Sequence, residues 1–253
     1  MLKELAARLK LGYATIPFPA KEPTLPERYR GRPAIDAARC ARECRVCVEV
    51  CPTGAIEVSK DGVRLDIGRC LFCGECETAC PVNAIRFSRE YRMAAGRRQD
   101  MVLSGKSMEI ARALDARMKS LLGRAFRLRQ VSAGGCNACE ADTNVLTTVV
   151  FDLGRFGIQF VASPRHADGI LVTGPVTENM KLALLKTYEA VPAPKIVIAV
   201  GACAIAGGPY AGHKEVHDGV EGILPVDLYI PGCPPHPIVI LDGLLRLLGR
   251  IGK

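Results

Sequence analysis

The chain carries twelve cysteines in three groups of four: Cys40, Cys44, Cys47 and Cys51; Cys70, Cys73, Cys76 and Cys80; Cys136, Cys139, Cys203 and Cys233. The first two groups end in related words, Cys51-Pro-Thr-Gly-Ala-Ile and Cys80-Pro-Val-Asn-Ala-Ile. Thiols so arranged have three main chemistries: disulfides, zinc and iron–sulfur clusters. Disulfides persist in oxidising compartments. The opening residues MLKELAARLKLGYAT do not read as an export signal, because charges interrupt every apolar run and no cleavage site follows. No twin-arginine signal is present either, so the chain is expected to stay in the cytoplasm. Structural zinc uses separated Cys-x-x-Cys pairs, whereas three ligands in one short turn suit a cubane. Three four-iron (4Fe-4S) clusters are therefore expected, and with them electron transfer.

The second group is an unbroken Cys-x-x-Cys-x-x-Cys-x-x-x-Cys-Pro, the bacterial ferredoxin run, in which the fourth cysteine reaches across to the neighbouring cluster. On that rule Cys70, Cys73 and Cys76 join Cys51 on one cluster, and Cys40, Cys44 and Cys47 join Cys80 on the other. Pro52 and Pro81 turn the chain and withdraw an N–H that would need a partner. Aligning Cys44 on Cys73 also superposes Cys47 on Cys76, Cys51 on Cys80 and Ile56 on Ile85, a repeat of 29 residues (73 − 44 = 29) that predicts pseudo-twofold symmetry. One departure stands out: three residues, not two, separate Cys40 from Cys44, so the position matching Cys70 is Ala41. Cys40 is expected to ligate through a longer loop; a three-iron cluster or a non-cysteine ligand is the alternative.

These thiols need elements to position them. At 253 residues there is room for two domains, and 49% hydrophobic content supports real cores. Aromatics are only 5% and tryptophan is absent, so small aliphatics must fill those cores. Around the first eight cysteines the pattern is small and mixed. Ile56-Glu-Val-Ser and Val63-Arg-Leu-Asp alternate about Asp61-Gly62, a hairpin signal, and each cysteine run is expected to lead into a short helix or loop. Between Ser88 and Gln130 eleven Arg or Lys face four Asp or Glu. Ile110, Leu114, Met118, Leu121 and Leu122 recur there at helical spacing, which predicts an amphipathic helix with a basic face that docks on a partner. Without interleaved aromatics or a recognised motif, nucleic acid is not expected as its ligand. At the N-terminus Leu2, Leu5 and Leu9 share a helical face, with Lys3, Arg8 and Lys10 around it. Such a helix can lie on a membrane surface or pack on a partner subunit.

Beyond the basic stretch the pattern changes to α/β. Strands are expected from Phe126 up to Gly134-Gly135-Cys136 and at Ile158–Ala162, Gly169–Thr173, Ile196–Val200 and Val226–Ile230, with a helix over Asn179–Ala190. Strands alternating with helices argue for an open parallel sheet. Cys136 and Cys139 follow the first strand, Cys203 the fourth and Cys233 the fifth. Parallel sheets bind ligands outside the carboxyl ends of their strands, so four cysteines distant in sequence should meet at one site. The expected organisation is a ferredoxin-like α+β domain over residues 1–96, a basic helical linker over 97–125 and a flavodoxin-like open-sheet domain over 126–253.

The motifs GGCNACE (134–140), SPRHADGILVTGPVTENM (163–180), GACAIAGG (201–208) and PGCPPHP (231–237) resemble the small, electron-transferring subunit of nickel–iron hydrogenases. The resemblance is closest to the membrane-bound, energy-converting branch that includes formate hydrogenlyase and is related to the cluster-bearing B subunit of respiratory complex I. Residues 20–90, with ERYRGRPAID ahead of the first cysteine, are similar to the two-cluster ferredoxin subunit of the same complexes, normally a separate chain. The resemblance implies that Cys136, Cys139, Cys203 and Cys233 hold the proximal 4Fe-4S cluster. It implies as partners a nickel–iron large subunit, membrane-embedded subunits and an electron donor, with this chain peripheral on the inner face of the cell membrane and having no span of its own. Glu140 resembles the family's acidic residue near the subunit boundary, either on a proton path or as a supporting or salt-bridged carboxylate.

Hydrogen turnover is not expected from the chain alone, because every suitable thiolate is assigned to a cluster. The complex I branch carries adjacent cysteines where this chain has Cys136-Asn137-Ala138-Cys139, which favours a hydrogenase over a quinone reductase; a sulfur reductase stays open. A soluble coenzyme-reducing hydrogenase and a stand-alone electron carrier are further alternatives. His213 and His217 read as surface histidines, and His166 and His236 as residues that can adjust a cluster's hydrogen bonding.

Overall fold

The computed structural model describes residues 2–40, 44–59, 62–105, 107–122 and 125–252. Helix α1 (Leu2–Leu11) buries none of its side chains, and Leu2, Leu5, Leu9 and Leu11 all face solvent. The chain then runs across the C-terminal domain. Ile16 donates its N–H to the Val150 carbonyl at 2.9 Å, and Phe18 is buried edge-on against Tyr91.

The cysteine-rich unit is built from two matching halves. Strand β1 (Pro33–Ile35) leads to α2 (Val46–Glu49) and β2 (Ile56–Ser59); strand β3 (Gly62–Asp66) leads to α3 (Glu75–Ala79) and β4 (Ile85–Phe87). β1 pairs antiparallel with β4, and β2 with β3, so each half lends a strand to the other. The β2–β3 ladder closes on Ser59 opposite Gly62; Lys60 and Asp61 of the expected turn lie outside the described residues. Val102–Leu103, β5, adds a third strand to this hairpin. The strands β1, β4 and β5 are not evident in the sequence.

The sheet register corrects the alignment of the two halves. Ile35 faces Ile85 just as Leu65 faces Ile56, so before the cysteines the halves are offset by 30 residues (65 − 35). The same offset links the Asp36 N–H bonded to the Ala84 carbonyl with the Asp66 N–H bonded to that of Ala55, at 2.8 Å each. Cys70 and Cys40 also differ by 30, whereas Cys73 and Cys44 differ by 29. Cys40, and not Ala41, therefore stands at the position of Cys70. The extra residue falls within 41–43, which includes Ala41 and lies outside the described residues.

The expected long helix over Ile110–Leu122 is only α4 (Ala116–Leu122). Residues ahead of it are drawn out by tertiary hydrogen bonds: the Ala111 N–H to the Ala94 carbonyl at 2.7 Å and the Leu114 N–H to the Leu247 carbonyl at 2.9 Å. Those partners are far away in sequence, and local helical spacing cannot report them.

The C-terminal sheet has five parallel strands: β6 (Phe126–Ser132), β7 (Ile158–Phe160), β8 (Gly169–Thr173), β9 (Ile196–Val200) and β10 (Leu228–Ile230). Their order across the sheet is β7-β6-β8-β9-β10. Counted within the domain this is 2-1-3-4-5, one of the two common doubly wound orders, with its switch point between β6 and β8. Helices α5 (Ala138–Val145), α6 (Glu178–Ala190), α7 (Ala202–Ala206) and α8 (Pro237–Leu247) follow the strands. β8 and β9 are wholly buried, as uncharged β-branched runs in the middle of a parallel sheet should be. β6 ends at Ser132, just before the Gly134-Gly135-Cys136 at which the first strand is expected to stop.

Helix α8 is buried along its whole length; its sequence is apolar apart from Asp242 and Arg246, which pair with each other. Its cover comes from the cysteine-rich unit and the segment after it. A Cβ on Gly243 would meet that of Ala94 at 2.9 Å, and Ala95 exchanges both backbone hydrogen bonds with Tyr229 on the edge strand β10. Arg98 grips Asp66 with both guanidinium nitrogens, so the start of the basic stretch is fastened to the cysteine-rich unit. Among the described residues no helix is long and apolar enough to cross a membrane.

Candidate iron–sulfur sites

None of the twelve cysteines is in a disulfide, and the fold gathers them into three neighbourhoods. Cys51, Cys70, Cys73 and Cys76 line one small cavity walled by Ile56, Leu65 and Phe87. Burial pushes the Cys70 thiol up to about 12 and that of Cys76 to about 11, with the other thiols of the set adding to the shift. Thiols so desolvated keep their protons until a cation compensates the charge, which is the condition of a metal-coupled site. Backbone N–H groups already point at the sulfurs: that of Phe72 at Cys70 and that of Ala55 at Cys51, both at 3.3 Å.

The second set is Cys40, Cys44, Cys47 and Cys80. Burial raises Cys40 and Cys47, and each also feels Cys44 and Cys80. For Cys80 burial works upward, but the N–H groups of Ala84, Val82, Ile85 and Asn83 outweigh it and hold the thiol below its usual range. The Ala84 N–H lies 3.1 Å from Cys80 Sγ, the symmetry mate of the Ala55 contact on Cys51. Gly54 and Asn83 occupy matching left-handed positions three residues after these cysteines, at φ 58° and 52°.

The third set forms where the sheet topology predicts, outside the carboxyl ends of β6, β9 and β10. Cys139 is raised by burial and then by Cys203, Glu140, Cys233 and Cys136; Cys203 is pushed up to about 11, chiefly by burial. Glycine makes room for the sulfurs. A Cβ on Gly201 (φ 89°) would lie 2.5 Å from Cys139 Sγ, and one on Gly208 (φ 57°) would lie 2.7 Å from Cys203 Sγ. Cys203 is buried, whereas Cys136 and Cys233 are exposed, so this site opens to one side. Among the described residues no three His, Cys, Asp or Glu side chains are placed to hold a single ion together. In a four-iron cluster each cysteine binds a different iron, and the inner set, whose four thiols line one cavity, fits that chemistry.

Glu140 is 6% exposed and takes 2.6 Å hydrogen bonds on Oε1 from Ser132 Oγ and Thr173 Oγ1, at the switch point between β6 and β8. Among the described residues no cation pairs with it. His236 caps α8, accepting the Ile238 N–H on Nδ1 at 3.2 Å, and burial lowers its pKa. His166 precedes β8, at the opposite end of the sheet from the thiols. His217 pairs with Glu178 on the surface, and His213 accepts the Glu215 N–H.

The three sets are adjacent. Cys76 of the inner cysteine-rich set feels Cys47 of the outer one. Leu71 and Phe72, inside the Cys70–Cys73 loop, share a cavity with the Pro231–His236 loop that carries Cys233. A Cβ on Gly68 would meet Ile205 of α7 at 2.8 Å, so the loop that starts the inner set packs on the helix that carries Cys203. Arg28, Tyr29 and Arg30 also border the shared cavity; the ERYRGRP motif that contains them gives no sign, as sequence, of where these side chains lie.

Residues 136–247 match the family described as NADH ubiquinone oxidoreductase, 20 Kd subunit, and residues 39–84 match the 4Fe-4S dicluster domain. Over 138 residues the chain is 40% identical to a probable membrane-bound hydrogenase subunit of Pyrococcus furiosus, covering 54% of this chain and 83% of that protein. It is 41% identical over 138 residues to formate hydrogenlyase subunit 7 of Escherichia coli, covering 54% of each chain. It is 42% identical over 120 residues to the B subunit of NADH-quinone oxidoreductase of Heliobacterium modesticaldum, covering 47% of this chain and 69% of the relative.

Proposed function

The chain belongs to the family of the NADH ubiquinone oxidoreductase, 20 Kd subunit, and on that premise we propose that it is the three-cluster relay subunit of a membrane-associated, hydrogenase-type complex. The observation that carries the reading is the unbroken succession of three four-thiol sets, outer, inner and C-terminal, across one chain. When bound, 4Fe-4S clusters supply one-electron transfer between a low-potential donor and a catalytic large subunit. The residues of this chain hold, space and insulate them. Cys40, Cys44, Cys47 and Cys80 would hold the outer cluster, Cys51, Cys70, Cys73 and Cys76 the inner one, and Cys136, Cys139, Cys203 and Cys233 the proximal one.

Ile56, Leu65 and Phe87 keep water from the inner set, and N–H groups aimed at Cys51, Cys70 and Cys80 stabilise thiolate charge. The exposed side of the proximal set, at Cys136 and Cys233, is the face a nickel–iron large subunit would cover. Ser132 and Thr173 fix Glu140 through Oε1 and leave Oε2 as the oxygen able to exchange a proton. Membrane association would come through the other subunits, on the cytoplasmic side.

The test is reconstitution. The complex should evolve hydrogen from a chemical donor, and the purified chain should show no turnover with or without added nickel. Turnover by the chain alone would contradict the relay role, and a complex whose large subunit binds no nickel would redirect it to a quinone or sulfur reductase.

A further inference from the structure

Arg30 has no hydrogen-bond or ion-pair partner among the described residues, yet its guanidinium is laid over the ligand loop of the inner set. A Cβ on Gly74 would lie 3.0 Å from both its Cζ and its Nε. Gly74 sits between Cys73 and Cys76 at φ 88°, so the loop has a bare backbone where the planar cation rests. The repeat sharpens the point. The position matching Gly74 in the other half is Arg45 (74 − 29 = 45), between Cys44 and Cys47. Each half therefore has an arginine associated with the same step of its ligand loop, one from the loop itself and one brought in from the ERYRGRP motif. Arg30 also borders the cavity that separates the inner set from the Cys233 loop, across which Asp142 makes no ion pair with it.

We infer that Arg30 sets the reduction potential of the cluster held by Cys51, Cys70, Cys73 and Cys76, favouring its reduced form. This rests on the cluster assignment proposed above. Each electron delivered by the donor adds one negative charge within a ring of four thiolates, while the guanidinium charge is constant. A fixed cation beside the ring lowers the free energy of the more negative state. Arg30 is solvent-exposed, so water and salt screen the effect and keep it modest. The inner site, which must pass electrons on to the Cys233 side, would thereby stay easier to reduce than its deep burial alone allows.

The experiment is an anaerobic redox titration followed by electron paramagnetic resonance on the cluster-loaded full chain, with iron and sulfide counted in parallel. Arg30→Gln should keep wild-type iron and lower the reduced-to-oxidised ratio of one cluster at fixed potential about threefold to tenfold, tenfold corresponding to about 59 mV for one electron. Arg30→Lys should restore most of the wild-type value, and Arg117→Gln, an equal charge change on exposed α4, should leave every midpoint in place. Raising the salt concentration on the wild-type chain should lower the same midpoint. The inference is overturned by an unmoved midpoint in Arg30→Gln, by an equal shift in Arg30→Lys, or by loss of the cluster from Arg30→Gln, which would make Arg30 a packing residue. A wild-type chain with no cluster at this set would instead sink the assignment beneath it.

Discussion

Replacing Gly201 with alanine should empty the proximal site while leaving the other two intact. Gly201 adopts φ 89° and ψ 157°, a region essentially reserved for glycine. Holding alanine there costs about 1–3 kcal/mol. The new methyl would also stand 2.5 Å from Cys139 Sγ, far inside contact distance, and Cys139 is fixed on the first turn of α5. Overpacking of this kind typically adds about 1–3 kcal/mol. Together they give about 2–6 kcal/mol, which the chain can relieve only by moving the sulfur off its position. Iron per chain should then fall by one cluster's worth, with the remaining resonance signals those of the outer and inner sets. Urea titration should show the destabilisation. Gly222→Ala is the control, since its Cβ would meet nothing within 4 Å. A Gly201→Ala chain with full iron and a urea midpoint matching Gly222→Ala would refute the argument that glycine is required by the sulfur.

Cys203→Ser should lose the same cluster and the donor-driven hydrogen evolution of the complex, yet still reduce its two remaining clusters; near wild-type evolution would remove Cys203 from the electron path. In α8 the Asp242–Arg246 pair is buried, with Arg246 Nε 2.8 Å from Asp242 Oδ2. Arg246→Met should cost about 3–5 kcal/mol by stranding the carboxylate, and the double change Asp242→Leu, Arg246→Met should recover most of it in a denaturant cycle. Burial raises the pKa of Asp142 beside the shared cavity. A carboxyl with a raised folded pKa favours the fold at low pH and loses that contribution as pH rises through the folded pKa. Asp142→Asn should therefore raise the urea midpoint at pH 7 more than at pH 4, and an equal change at both would show that the carboxyl's ionisation is not what costs stability.

The sequence is most legible where chemistry is encoded by short spacing. The Cys70–Cys80 run, the alternation around Gly62 and the placement of Cys136, Cys203 and Cys233 after apolar β-branched runs are enough to anticipate which thiols come together, because parallel topology brings carboxyl ends of strands to one edge. Long-range pairing is not legible. The segment ahead of α4 carries a helical spacing but gives its N–H groups to Ala94 and Leu247 instead of to a helix, residues that nothing local connects to it. The Cys40 mismatch reads as a longer loop of unplaced register, and only the opposition of Ile35 to Ile85 shows that the extra residue follows Cys40. Arg30 is hidden for the same reason, since only the folded chain brings it over Gly74.

In the proposed relay this one chain holds three four-iron clusters in series. Anaerobic iron and acid-labile sulfide analysis of the purified full chain, with resonance spectra of its reduced form, tests it most directly. Three such clusters give about twelve irons and as many sulfides per chain, with three reducible signals. About eight irons would remove one set, with Cys40 the first suspect, and zinc in place of iron would contradict the account as a whole.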